Sequence, residues 1–260
     1  MLIALQIFLA FVIAGSWIST ATWIAEKKGS RVGGLLVNLP SNLLVSLIFM
    51  AVLRGPGYAA GAAAAVPIGM GINSIFLALF IWLVPRGLVP ATVISLAYWF
   101  VAAWLTSRFP LTPWQSLAGY TLILVATMVF AEKILKVRTP PRREKTWSTW
   151  QFLLRALFSG GLVASVVAIS LTTSSWITGI VSTFPAVMMS SMVILTLTQG
   201  SEFARATGKI LIFSSVNILV YSHIVQFTYP TLGVVVGTLL AYAGAVLFVI
   251  AIRPVSERLS

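Results

Sequence analysis

The sequence predicts an all-α integral membrane protein of nine transmembrane helices, built as two inverted-topology four-helix repeats joined by a linker helix (4+1+4). Three observations carry this. The 260 residues are 59% hydrophobic and only 8% charged, with mean hydropathy +1.01, far more apolar surface than a soluble domain of this length can bury. The apolar residues fall in nine runs of spanning length, and the cations between them gather on one side. Finally, the second half repeats landmarks of the first at an offset of 145 residues.

A spanning helix needs about 20 mostly apolar residues. The runs that qualify are Leu2–Ala25, Val32–Leu53, Tyr58–Val84, Leu88–Ser107, Trp114–Leu135, Trp150–Thr172, Ser174–Leu197, Thr207–Phe227 and Thr231–Ile252. None shows the period-two alternation of a membrane strand. The first run has no cation before it, while Lys27, Lys28 and Arg31 follow it, so it reads as a span and not as a cleavable signal. Trp23, Trp82, Trp104, Trp114, Trp147, Trp150 and Trp176 lie near run ends, where an amphipathic ring suits the headgroup layer.

Nine crossings put Lys27, Lys28, Arg31, Arg86, Lys133, Lys136, Arg138, Arg142, Arg143, Lys145, Arg155, Arg205, Lys209, Arg253 and Arg258 on one face, leaving only Arg54 and Arg108 on the other. That imbalance predicts a cell-membrane protein with its N-terminus outside and its C-terminus in the cytoplasm. The net charge of +12 is thereby accounted for by topology and by lipid headgroups meeting the basic loops, and no nucleic-acid partner is expected.

The repeat is read from Gly34–Pro40, continuing to Ser46 and Gly55, against Gly179–Pro185, continuing to Ser191 and Gly200. At the same offset Gly15 meets Gly160 and Ala59 meets Ala204. The offset covers five spans, an odd number, so the copies cross in opposite senses. The loops agree, since Ala60 and Ala64 correspond to Arg205 and Lys209, while Arg31 and Arg54 correspond to Trp176 and Gln199. The expected organisation is a first repeat over residues 1–110, a linker span with a basic loop over 111–149, and a second repeat over 150–260. Pro140 and Pro141 lie in that loop, which is too short to be a domain.

A proline within a span strips a backbone carbonyl of its helical donor, which in hydrocarbon calls for a side chain, a water or a ligand. Pro40 has Asn38, Ser41, Asn42 and Ser46 around it, and Pro185 has Ser182, Thr183, Ser190 and Ser191. Two such breaks at matched positions predict a binding site for a small solute or ion near mid-membrane, although a kink serving only packing is the alternative. Asn73 and Asn217 stand at nearly equivalent places and either line that site or join helices. The lone histidine, His223, has no cysteine or acidic neighbour at ligand spacing, so it holds no metal, and it either relays a proton or packs.

The chain has no aspartate and no cysteine, and Glu26, Glu132, Glu144, Glu202 and Glu257 all sit at or near run ends. No Ser-His-Asp set, aspartate pair, HExxH or phosphate-binding loop is present, so no enzyme activity and no cofactor is expected. A coupling ion, sodium or proton, is left open. The inverted halves with matched proline breaks resemble the general plan of secondary carriers of the bile-acid/sodium symporter or drug/metabolite kind. No signature motif of either is present, and no functional position is carried over. The expected function is secondary transport of a small solute or ion by alternating access. The alternatives are a membrane scaffold subunit or a lipid-handling protein, and homo-oligomerisation is left open.

Overall fold

The computed structural model describes residues 2–27, 40–137 and 149–259. These are predominantly helical, with no strand among them. The helices are α1 (Leu2–Lys27), α2 (Ser41–Arg54), α3 (Pro56–Leu83), α4 (Leu88–Ser107), α5 (Pro113–Val129), α6 (Thr149–Ser170), α7 (Ser175–Ser182), α8 (Ala186–Gln199), α9 (Ser201–Ser214) and α10 (Val216–Leu259). A 3₁₀ turn, Val84–Arg86, ends α3, and a π-helical turn, Phe130–Ile134, prolongs α5. Among the described residues, five helical stretches are long and apolar enough to cross a membrane: Pro56–Arg86, Leu88–Ser107, Pro113–Ile134, Ser175–Gln199 and Ser201–Ala251. Ala4–Trp17, Ser41–Arg54 and Ala156–Ser170 are apolar but shorter. The molecule is therefore a membrane-embedded helical protein.

Helix α3 is the axis of the fold, with 78% of its apolar window buried against 17% for α4 and for α5. Its composition explains this place. Ala59, Ala62, Ala63 and Ala65 are fully buried, and small side chains let neighbouring backbones come close. A Cβ on Gly179 of α7 would run into the Ala62 carbonyl, and one on Gly119 of α5 would sit 3.0 Å from Ile68. Pro67 lies inside α3. Beside it, the Ile68 N–H donates to Ser116 Oγ on α5 at 3.0 Å, so the neighbouring helix supplies an acceptor at the proline. Helices α2, α4, α5, α7, α9 and α10 all pack on α3, whereas α1 pairs chiefly with α6.

Side chains fasten the ends. Thr112 and Gln115 form a reciprocal capping box at the start of α5, which satisfies two otherwise orphaned donors. At the end of α6 the Arg54 guanidinium donates to the Ser170 and Leu171 carbonyls, each at 2.8 Å. A cation there meets the negative end of the helix dipole. Arg54 is thus a cap for α6.

Several boundaries depart from those read in the sequence. The Ser174–Leu197 run is two helices, because Thr183-Phe184-Pro185 interrupts it. The Thr207–Phe227 run begins earlier, at Ser201, and is interrupted at Ser215. The expected gap before Thr231 is absent; helix continues to Gly233, where φ 79° and ψ 172° break it. Of the Val32–Leu53 run, residues 32–39 lie outside the described ones.

Candidate functional site

The break between α7 and α8 is the most developed polar feature of the interior. Thr183 closes α7 by donating its N–H to Ile180 O at 3.0 Å and its hydroxyl to the same carbonyl at 2.7 Å. Pro185 then starts α8, with φ −80° and ψ 39°. The Thr183 carbonyl is left without a helical donor, and Asn73 Nδ2 of α3 supplies one at 2.7 Å. Asn73 Oδ1 in turn accepts from Trp99 Nε1 of α4, also at 2.7 Å. The chain Trp99–Asn73–Thr183 therefore joins three elements, and all three residues are buried. Gly69 makes the approach feasible, because a Cβ there would collide with the Thr183 side chain.

Around Pro40 the described half of the element looks alike. Pro40 is buried and starts α2 with φ −77° and ψ 53°, and its carbonyl accepts from Leu44 N at 2.8 Å. Asn42 Oδ1 is buried with no hydrogen-bond partner. Ser41 opens the helix, and Ser46 is buried one turn further on. Asn38 lies outside the described residues. The two breaks share surroundings: Val181 and Met188, on either side of Pro185, pack against the same apolar cluster as Leu43, Leu44 and Leu47 of α2.

The remaining sequence candidates divide. Ser190 is buried and donates to Val187 O within α8, while Ser191 is half-buried. Asn217 is buried at the start of α10. His223 stands apart from the breaks, its ring edge-on to Trp114 at 5.5 Å and to Phe227 at 5.0 Å. Among the described residues no cluster of histidine, cysteine or carboxylate can hold a metal. Glu132, in the π-helical turn, lies 3.7 Å from Lys209 Nζ of α9. Arg205, one turn before Lys209, bonds Glu202 and the Leu135 carbonyl.

Trp99, Phe184 and the groove beside them are functional candidates that the polar pattern does not reveal. A groove of about 610 Å³ runs between α4 and α6, floored by α7 and α8. Trp99, Phe100, Trp104, Phe158 and Phe184 line it, and Trp99 meets Phe184 edge-to-face at 4.9 Å. Its two hydroxyl side chains, Ser107 and Ser165, both donate to carbonyls of their own helices. Aromatic residues in an apolar span carry no periodic or motif signal, so only the packing shows that these five converge.

Chemically, the region offers one unspent acceptor at Asn42, a satisfied hydrogen-bond chain at the α7–α8 break, and an apolar groove against that break. Such an arrangement can bind and enclose; it presents no nucleophile paired with a base. No protein family, curated protein or solved structure matches this chain.

Proposed function

We propose that the protein is a secondary transporter, a carrier and not an enzyme, that moves a small solute or ion across the cell membrane by alternating access about the Pro40 and Pro185 breaks. Nine crossings arranged as two inverted repeats underlie this reading, with the N-terminus outside and the basic loops in the cytoplasm.

The observation that carries it is a matched pair of half-helices. Helices α2 and α8 are each 14 residues long, start at a proline of similar geometry and end at a glycine of nearly equal φ, 91° at Gly55 and 89° at Gly200. Only glycine adopts that conformation without strain. Each glycine donates to the carbonyl four residues back and accepts from the amide four residues on. All of these landmarks are 145 residues apart. A second pair supports the same duplication. A Cβ at Gly15 of α1 would stand 3.3 Å from the Ala156 carbonyl, and one at Gly160 of α6 would stand 2.8 Å from that of Phe11. Adding 145 to Gly15 and Phe11 gives Gly160 and Ala156, so the crossing exchanges with itself under a two-fold rotation. Halves related in this way give inward- and outward-open states of similar energy.

Coupling, where present, uses sodium on neutral oxygens or a proton on a group other than a deep carboxylate, because Glu132 sits at the end of α5 beside Lys209. The test is counterflow in proteoliposomes against a panel of labelled ions and metabolites. The wild type should carry at least one saturably, and Asn42→Ala and Pro185→Ala should abolish that flux while the protein remains folded. A folded wild type that carries nothing saturably, or variants with undiminished flux, would overturn the reading.

A further inference from the structure

The groove between α4 and α6 has the length, lining and charge to hold one lipid chain. Its α6 wall extends from Leu157 to Ile169, about 18 Å at roughly 1.5 Å per residue. That is somewhat more than half of the ~30 Å hydrocarbon thickness of a bilayer. One end is shallow: Ser107 and Ile169 are at the last turns of α4 and α6, where Trp176 Nε1 donates to the Thr106 carbonyl at 3.0 Å. The other end is deep, at Phe184 and Ala186 beside the helix break. Its volume of about 610 Å³ falls within the roughly 300–1,000 Å³ of small-molecule sites.

Two cations stand at the shallow end, Arg54 and Arg108. Arg108 follows α4 and lies over the Trp104 ring, 5.1 Å from its centroid, and Trp104 itself lines the groove. Neither ion pair found among the described residues includes Arg108. Arg54, the other cation assigned to this face, is spent on capping α6. A guanidinium at the headgroup level beside an apolar slot is complementary to an anionic head on a hydrocarbon chain.

We propose that this groove is a binding site for an anionic phospholipid of the leaflet on the Arg108 side, with an acyl chain along Trp104, Phe100 and Phe158 and the phosphate at Arg108. The chain end then lies against Phe184, so occupancy bears on the helix break. This goes beyond the transport reading and does not depend on it, since it is tested by binding alone.

Gly161 lines the groove, and a Cβ added there meets nothing within 4 Å. Gly161→Leu therefore fills the slot without disturbing a helix contact, and Ser165→Phe fills it one turn further on. The full chain, delipidated in neutral detergent, is titrated with phosphatidylglycerol or phosphatidylcholine of the same acyl chains and analysed by native mass spectrometry. The wild type should retain one phosphatidylglycerol. Both filling variants should bind it about tenfold more weakly, the equivalent of roughly two methylenes displaced from the slot. Arg108→Gln should weaken phosphatidylglycerol roughly three- to fivefold, the range of an exposed ionic contact, and phosphatidylcholine less, because its choline cation offsets the phosphate charge. Equal retention by wild type and both filling variants would mean surrounding lipid only and would overturn the proposal. An equal effect of Arg108→Gln on both lipids would overturn the preference for an anionic head, and no effect on either would overturn the placement of the phosphate.

Discussion

Asn73 on α3 donates to the Thr183 carbonyl at 2.7 Å, so the gap that Pro185 opens is answered from the central helix. Because Asn73 also accepts from Trp99, one carboxamide holds α4 and the α7–α8 break to the same axis. Its removal leaves a buried carbonyl and a buried indole N–H without partners.

Asn73→Leu is expected to destabilise the protein by about 1–3 kcal/mol, the cost of stranded buried groups, tempered by the smaller worth of hydrogen bonds between membrane helices. Trp99→Phe removes one partner and should cost less, about 1 kcal/mol. Unfolding in mixed micelles measures both. A loss below ~0.5 kcal/mol for Asn73→Leu, the size of an ordinary surface change, would contradict the role given to this chain.

The crossing of α3 and α7 makes a steric prediction. A methyl at Gly179 would strike the Ala62 carbonyl, so Gly179→Ala should cost about 1–3 kcal/mol through overpacking. Gly161→Ala meets no atom within 4 Å and should be neutral or stabilising by up to ~1 kcal/mol through helix propensity. The two thermal midpoints in detergent should move in opposite directions or differ by several degrees.

Lys209 is largely buried, its side chain 10% exposed, while that of Glu132 is 41% exposed. Glu132→Gln leaves the ammonium without its carboxylate, and the half-exposed partner limits the effect through solvent screening to about 1–2 kcal/mol. Adding Lys209→Met to that variant should restore part of the loss, because an uncompensated buried charge is removed. A double variant less stable than Glu132→Gln alone would show that Lys209 contributes chiefly by other contacts.

The helical, membrane-embedded character of the chain was legible because burying apolar length is a composition effect. Pro185 and the Gly55/Gly200 pair were legible because proline and glycine constrain the backbone wherever they stand. The break at Ser215 was not, since serine is tolerated within a span and leaves no mark. The gap expected at Thr231 moved to Gly233 because length alone does not choose which residue turns. Polar side chains near the prolines were visible as candidates, yet their partners were not: that Asn73 answers Thr183 depends on two helices 110 residues apart. The groove escaped altogether, since phenylalanine and tryptophan in a span look the same whether they face lipid, core or cleft.

Pro185→Ala should let α7 run on into α8. Amide exchange at Phe184 and Ala186 should slow, as continuous helix protects them, and any saturable flux should fall at least tenfold while stability holds. Unchanged exchange at both amides would show that neighbouring helices, and not the proline, keep the break open.

Gly57 and Glu202 stand 145 residues apart, both exposed and both in the first turn of the helix that follows a positive-φ glycine. The chain contains no cysteine, so Gly57→Cys and Glu202→Cys each carry one unique thiol. Labelling of intact cells with a membrane-impermeant maleimide should modify the cysteine at 57, and should modify the one at 202 only after permeabilisation. Reaction of both thiols from the same side would place the repeated segments in one orientation, and the inverted-repeat carrier would be contradicted.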